Sequence, residues 1–155
     1  MKPPYFLNVD LDIESKSPLR SLARALGDKV SVLFSGRKNG NYCLFVETTA
    51  AKRHQDGIIN VLCSLIERLP ANSKRAWDTA HRKEFDLGYE IRLASRRAHR
   101  FIVRPSTLRR VASLGASLAV TLYREETAEH DRCTRRRDGV SLSKRTGKNG
   151  VSQKY

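Results

Sequence analysis

Hydrophobic and polar residues alternate along two segments of the chain, which is the pattern of β-strands with one buried face. The segments run from Tyr5 to Glu14 and from Phe85 to Leu93. In both, the polar positions are mostly acidic, and they include Asp10, Asp12 and Asp86. We therefore expect two half-buried strands whose polar faces carry carboxylates.

A hairpin is predicted between these two strands. Segments 29–35 and 41–48 are rich in β-branched and aromatic residues and flank the turn sequence Gly36–Gly40. Unlike the first strand, both segments place apolar residues on each face, with Leu33 and Phe45 on the second face. Either another element covers that face, or an apolar patch is left for a partner.

Apolar residues spaced three and four positions apart predict helices elsewhere. We expect helices within 19–26, 57–69, 71–83 and 105–114, a short strand at 101–103 and a last strand at 116–123. Ser17 is expected to cap the first helix, with Pro18 in its first turn, and Trp77 is expected to lie over the core.

This order of elements predicts an α+β fold. It fits a split βαβ, ferredoxin-like antiparallel sheet with helices mainly on one face, extended by a C-terminal βαβ unit. The first strand would then be central and the Phe85 strand would lie beside it. Their polar faces would combine into one acidic region, formed by Asp10, Asp12, Glu84, Asp86 and Glu90.

The net charge of +14 is concentrated in two segments. Residues 92–110 hold seven arginines and no acidic residue, and residues 132–155 hold eight lysines or arginines and one aspartate. The second segment is poor in apolar residues, so we predict one domain over 1–131 and a disordered basic tail over 132–155.

Clustered positive charge favours a polyanion partner, so the leading hypothesis is nucleic-acid binding without sequence specificity. The candidate residues are Arg92, Arg96, Arg97, Arg100, Arg104, Arg109, Arg110, Arg135, Arg136 and Arg137. The alternative is that arginines on loops and tails only keep a small protein in solution.

A second hypothesis is a protein-binding module of regulatory, immunity or antitoxin type. Its candidate residues are Asp10, Asp12, Leu33, Phe45 and Asp86, because a mixture of carboxylates and apolar side chains is typical of recognition surfaces.

A third hypothesis, a metal-dependent nuclease, rests on Asp10, Asp12 and Asp86 as ligands of a divalent cation. It is less favoured, since alternating acidic residues are the ordinary composition of a solvated strand face. His130 and Cys133 form one metal-spaced pair without a second pair. We therefore expect no metal, no cofactor and no enzymatic activity.

The expected compartment is a reducing cytoplasm, because the three cysteines are an odd number at unrelated spacings. The start of the sequence lacks the apolar run of a signal peptide, and the longest apolar stretch, 58–66, is too short to span a bilayer. Membrane association is therefore not expected, and the oligomeric state stays open.

The end of the predicted domain carries a resemblance. Residues 106–123 form a helix, a Leu114-Gly115 step and a strand that ends in Leu122-Tyr123. In this the chain resembles small bacterial α+β domains of unknown function. The resemblance implies a fold class and a bacterial cytoplasm, and it supplies no catalytic residue.

Overall fold

Strand β1, Tyr5–Ser15, lies in the middle of a five-stranded sheet. The computed structural model describes residues 5–51, 54–91, 98 and 100–124. The other strands are β2 Val30–Lys38, β3 Asn41–Thr48, β4 Arg82–Ile91 and β5 Ser117–Arg124. Their order is β2-β3-β1-β4-β5, with antiparallel neighbours except β4 and β5, which are parallel. The fold is therefore mixed α+β, as the sequence predicts.

Four α-helices occur in the described part of the chain: α1 Arg20–Leu26, α2 Gln55–Glu67, α3 Ala71–Thr79 and α4 Pro105–Ser113. Helix α4 connects β4 to β5, so these three elements form a C-terminal βαβ unit. No helix among the described residues is long and apolar enough to cross a membrane.

The core forms where one face of the sheet meets the helices. Val9, Leu11 and Ile13 of β1 are fully buried, and they cluster with alternate residues of β3 and β4 and with apolar residues of the four helices. The opposite face of the sheet carries the acidic residues of β1 and β4, such as Asp10 and Asp86. We call this second surface the open face.

The predicted hairpin is confirmed, with a tighter turn than the sequence suggested. Strand β2 continues to Lys38, and only Asn39 and Gly40 separate it from β3. Both have positive φ, 51° and 77°, and a two-residue turn of this kind matches the right-handed twist of the paired strands. Asparagine and glycine tolerate this conformation best.

The predicted strand at 101–103 is wrong, since residues 101–104 have no regular secondary structure. The carbonyl oxygen of Ile102 accepts a hydrogen bond from Gln55 Nε2 at 3.0 Å, and the backbone N–H of Arg104 donates to Asp56 Oδ1 at 3.0 Å. Side chains of α2 therefore satisfy backbone groups that a strand partner would otherwise take.

The predicted Ser17 cap is also wrong. Helix α1 begins at Arg20 with Leu19 as its N-cap residue and has no side-chain cap. The backbone N–H of Ser17 instead donates to Ser15 Oγ at 3.1 Å. Ser15 is the last residue of β1, so its side chain forms a local turn directly after the strand. The predicted tail, 132–155, and the end of the predicted domain, 125–131, lie outside the described residues.

The predicted place of Trp77 in the core is confirmed. Its side chain is fully buried, and its indole Nε1 donates to the carbonyl oxygen of Leu114 at 3.1 Å. This bond connects α3 to the segment that leads into β5.

Replacing this indole with a phenyl ring tests the connection. We expect Trp77→Phe to lower the free energy of unfolding by about 1–3 kcal/mol, because it removes the hydrogen bond and leaves a buried carbonyl without its donor. Urea unfolding followed by circular dichroism measures the change. Leu108→Ala, at a side chain that is 44% exposed, is the control and should change stability by less than about 0.5 kcal/mol. Equal stability of Trp77→Phe and the parent would contradict the expectation.

Candidate functional site

Three carboxylates lie side by side on the open face, one on each of three neighbouring strands. In the antiparallel register, Asp10 of β1 is opposite Glu47 of β3 on one side and Asp86 of β4 on the other. Directly opposed residues of neighbouring strands have Cβ atoms about 5 Å apart, so the three negative charges are crowded. We call Glu47, Asp10 and Asp86 the acidic half of the open face.

Asp10, in the middle of this row, has a raised pKa. Partial burial of its carboxyl group raises its pKa from 3.8 to about 6, and the charges of Asp12, Glu47 and Asp86 add to the increase. Both effects disfavour the charged form of the group.

The two outer carboxylates, Glu47 and Asp86, each accept a hydrogen bond from an uncharged side chain. Asn8 Nδ2 donates a hydrogen bond to Glu47 Oε2. The hydroxyl of Thr121, on β5, lies 2.8 Å from each carboxylate oxygen of Asp86. These contacts orient the carboxylates without cancelling their charge.

Arg82 offsets part of the negative charge on the neighbouring part of the open face. Its guanidinium donates to Glu14 and Glu84 at 2.6 Å each and lies 3.8 Å from Asp12. Burial raises the pKa of Asp12, and the charge of Arg82 opposes that increase. We call Asp12, Glu14, Glu84 and Arg82 the paired half of the open face.

Apolar side chains stand beside the acidic half. A cavity of about 270 Å³ is lined by its three carboxylates together with Leu7, Leu33 and Tyr123. These three side chains are 42%, 50% and 49% exposed, respectively. Among the described residues, no lysine or arginine lines this cavity.

Two irregularities in the strands add apolar side chains to the open face. The register of β1 against β4 shifts between Phe6 and Asn8, and the register of β2 against β3 shifts between Val32 and Phe34. The shift in β1 lets Leu7 face the cavity, although strict alternation would place it with the buried Val9. The shift in β2 brings Phe34 opposite Phe45 on the open face, next to Leu33.

The residues of the protein-partner hypothesis all reach the open face. Asp10, Asp86 and Leu33 line the cavity of the acidic half. Asp12 and Phe45 line a second cavity of about 280 Å³, which also contains Arg82. The sequence prediction thus grouped side chains that the fold distributes between two cavities.

Sequence reasoning missed Glu47 and Arg82. Glu47 continues the alternation of Cys43 and Phe45, so placing β3 beside β1 would have predicted it on the acidic surface. Arg82 precedes Phe85, where the sequence predicted the strand to start. However, Arg82, Glu84 and Asp86 are alternate residues, so extending the strand to Arg82 would have placed all three on the same face.

The metal hypothesis gains no support from the geometry. Within residues 5–51, 54–91, 98 and 100–124, no group of three His, Cys, Asp or Glu side chains could hold a metal ion. The acidic half can instead attract a cationic group by its negative charge.

The arginines of the polyanion hypothesis do not share one role. Arg110 joins α4 to α2: it donates to both oxygens of Glu67, at 3.0 and 2.7 Å, and to Asn60 Oδ1 at 2.7 Å. Arg100, Arg104 and Arg109 are exposed. The other arginines that the sequence predicts to contact a polyanion lie outside the described residues: Arg92, Arg96, Arg97, Arg135, Arg136 and Arg137.

Comparisons with known proteins found no matching family model, no matching curated protein and no matching solved structure.

The crowding around Asp10 predicts a pH-dependent stability. Because its folded-state pKa is raised to about 6 from 3.8, the folded protein keeps a proton that the unfolded chain releases at lower pH. The contribution of this group to stability therefore decreases as the pH rises from about 4 to about 6. Above that range Asp10 destabilises the fold.

We expect Asp10→Asn to raise the free energy of unfolding at pH 7.5 by about 1–2 kcal/mol, a value that allows for solvent screening of a partly exposed group. The difference from the parent should shrink as the pH is lowered to about 4. Urea titrations across this pH range measure it, with the exposed Asp28→Asn as the control of equal charge change. A lower free energy of unfolding for Asp10→Asn than for the parent at pH 7.5 would contradict the raised pKa of Asp10.

Proposed function

We propose that this protein is a non-enzymatic binding domain that holds a protein partner on the open face of its sheet. One observation carries the proposal: three crowded carboxylates share a cavity with exposed apolar side chains, and no described lysine or arginine lines that cavity. The partner would present a lysine or arginine side chain next to an apolar one.

Electrostatics supports a cationic partner. Like charges directly opposite each other on adjacent strands destabilise a sheet by several tenths of a kcal/mol to about 1 kcal/mol per pair. Asp10 is opposite a carboxylate on both sides, so a partner's ammonium or guanidinium group would relieve two repulsions at once. The same charges would repel nucleic-acid phosphates from this face.

The apolar side chains supply the second part of the recognition. Leu33 and Tyr123 are about half exposed and flank the carboxylates. Burying them against a partner removes apolar surface from water, which stabilises a complex by about 25 cal/mol per Å². Exclusion of water around the ion pair would also strengthen the charge attraction.

Removing two charges from the acidic half tests this function. The pair Asp10→Asn and Asp86→Asn is compared with Asp28→Asn and Asp78→Asn, which makes the same charge change at exposed positions elsewhere. Protein captured from nuclease-treated extract by the tagged full chain is identified by mass spectrometry, purified and titrated by calorimetry. We expect the first pair to weaken binding at least about tenfold, or 1.4 kcal/mol, and the control pair to bind as the parent does.

Circular dichroism of both double variants checks that the loss does not come from unfolding, because Asp86→Asn alters the contact with Thr121. Equal affinity of the two double variants would refute the proposed site. Capture of nucleic acid from extract without nuclease treatment, with no protein that binds after nuclease treatment and purification, would favour the second function described next.

Nucleic-acid binding through the arginine-rich segment 92–110 and the basic tail is the second proposed function. It is favoured by the separation of charge along the chain, since these segments carry positive charge while the open face carries carboxylates. Contacts would be made to phosphates, so affinity would fall steeply with salt and would not depend on base sequence.

For this function, Arg96, Arg97 and Arg100 are replaced together with alanine. Each lost phosphate contact reduces the salt slope for a single strand by about 0.7, so we expect a slope lower by about 2 and a weaker affinity. Filter-binding titrations at several salt concentrations measure both. The control replaces the exposed Arg20, Arg24 and Arg75 with alanine, which gives the same net charge. If both triple variants behave alike, the segment has no specific role.

We also propose a finer description of the fold and the compartment. The order β2-β3-β1-β4 and the antiparallel pairing of these strands support a split βαβ, ferredoxin-like arrangement that α4 and β5 extend. A reducing cytoplasm agrees with Cys43 and Cys63, which are both buried as free thiols.

A further inference from the structure

The two edges of the sheet differ in how well they could pair with another strand. Strand β2 forms one edge and β5 the other. An edge strand presents unpaired N–H and C=O groups, and proteins discourage pairing there with bulges and charged residues. Strand β2 has both features, since its register shifts after Val32 and it ends in Arg37 and Lys38.

Strand β5 has neither feature along most of its length. Its register with β4 is unbroken from Ser117 to Arg124, and residues 117–123 carry no charge. On the face that packs against the helices, Leu118 contacts the core, but Val120 and Leu122 are each 51% exposed. Within the part of the chain that the structure describes, the β5 end of the sheet thus combines a regular edge with two half-exposed apolar side chains.

We propose that two copies of this protein associate by antiparallel pairing of β5 with β5, which joins their two sheets into one. A twofold axis perpendicular to the sheet relates the copies, so that each residue faces one on the same side of the sheet. Centred on Val120, this pairing puts Val120 opposite its own copy and Leu118 opposite Leu122.

The strand suits a second copy of itself for two reasons. On the open face, the same register puts Ala119 opposite Thr121 and Ser117 opposite Tyr123, so no like charges meet anywhere along residues 117–123. The half-exposed Val120 and Leu122 also become cross-strand apolar pairs, which stabilise a sheet by about 0.2–1 kcal/mol each.

The interface is small. A strand of eight residues is about 27 Å long, and pairing over that length buries less than the roughly 1,200 Å² of a standard stable interface. The dimer should therefore dissociate at micromolar concentration rather than persist on dilution. Both open faces lie on the same side of the joined sheet, so the dimer would present two acidic halves to a bivalent partner.

Sedimentation velocity of the nuclease-treated full chain, from low micromolar to submillimolar concentration in high salt, tests the proposal. We expect the parent to shift from monomer to dimer over this range. Val120→Lys and Val120→Glu should each remain monomeric, because like charges would meet at the twofold axis. An equimolar mixture of the two should restore the dimer.

Val32→Lys is the matched control, since Val32 is 49% exposed on the opposite edge strand. It should dimerise as the parent does, and circular dichroism should show that all variants are folded. A parent that stays monomeric at the highest concentration would overturn the proposal. Dissociation by Val32→Lys, or no recovery in the mixture, would overturn it as well.

Discussion

The antiparallel register between β1 and β4 is the constraint on which the rest of the structure depends. Because side chains alternate along a strand, the register that places Leu11 and Phe85 together in the core also places Asp10 opposite Asp86 on the other face. A shift by one residue would move carboxylates into the core, so burial of the apolar row fixes the position of the acidic row. Burial of the apolar side chains therefore holds Asp10 and Asp86 together on the surface although their charges repel each other.

The sequence predicted what depends on local periodicity. Alternation within β1 and β4 is a property of each segment, so both strands and their acidic faces followed from it, including Asp10, Asp12 and Asp86. Elements that depend on distant partners could not be predicted in this way. Residues 101–103 have the composition of a strand, but Gln55 and Asp56 supply hydrogen bonds from α2 and hold the segment in another conformation.

Arginine shows the same dependence on distant partners. Arg110 belongs to the most basic segment of the folded chain, yet Glu67, Asn60 and Ser64 accept its hydrogen bonds and make it a connection between α4 and α2. Arg82 lies outside that segment and pairs with three carboxylates of the open face. Composition locates the charge along the chain, but only the fold determines whether a guanidinium joins two helices, offsets part of the charge of a surface or remains exposed.

Arg82 also makes the charge of the open face uneven. Its positive charge offsets one of the three carboxylates of the paired half, whereas no described lysine or arginine lines the cavity of the acidic half, so the negative potential is stronger at the acidic half. A ligand with one cationic end and one neutral end would bind more favourably with its cationic end at the acidic half than in the reversed orientation. A single ion-paired side chain can therefore favour one alignment of a molecule on this surface, because it reduces the negative charge of one half and leaves the other unchanged.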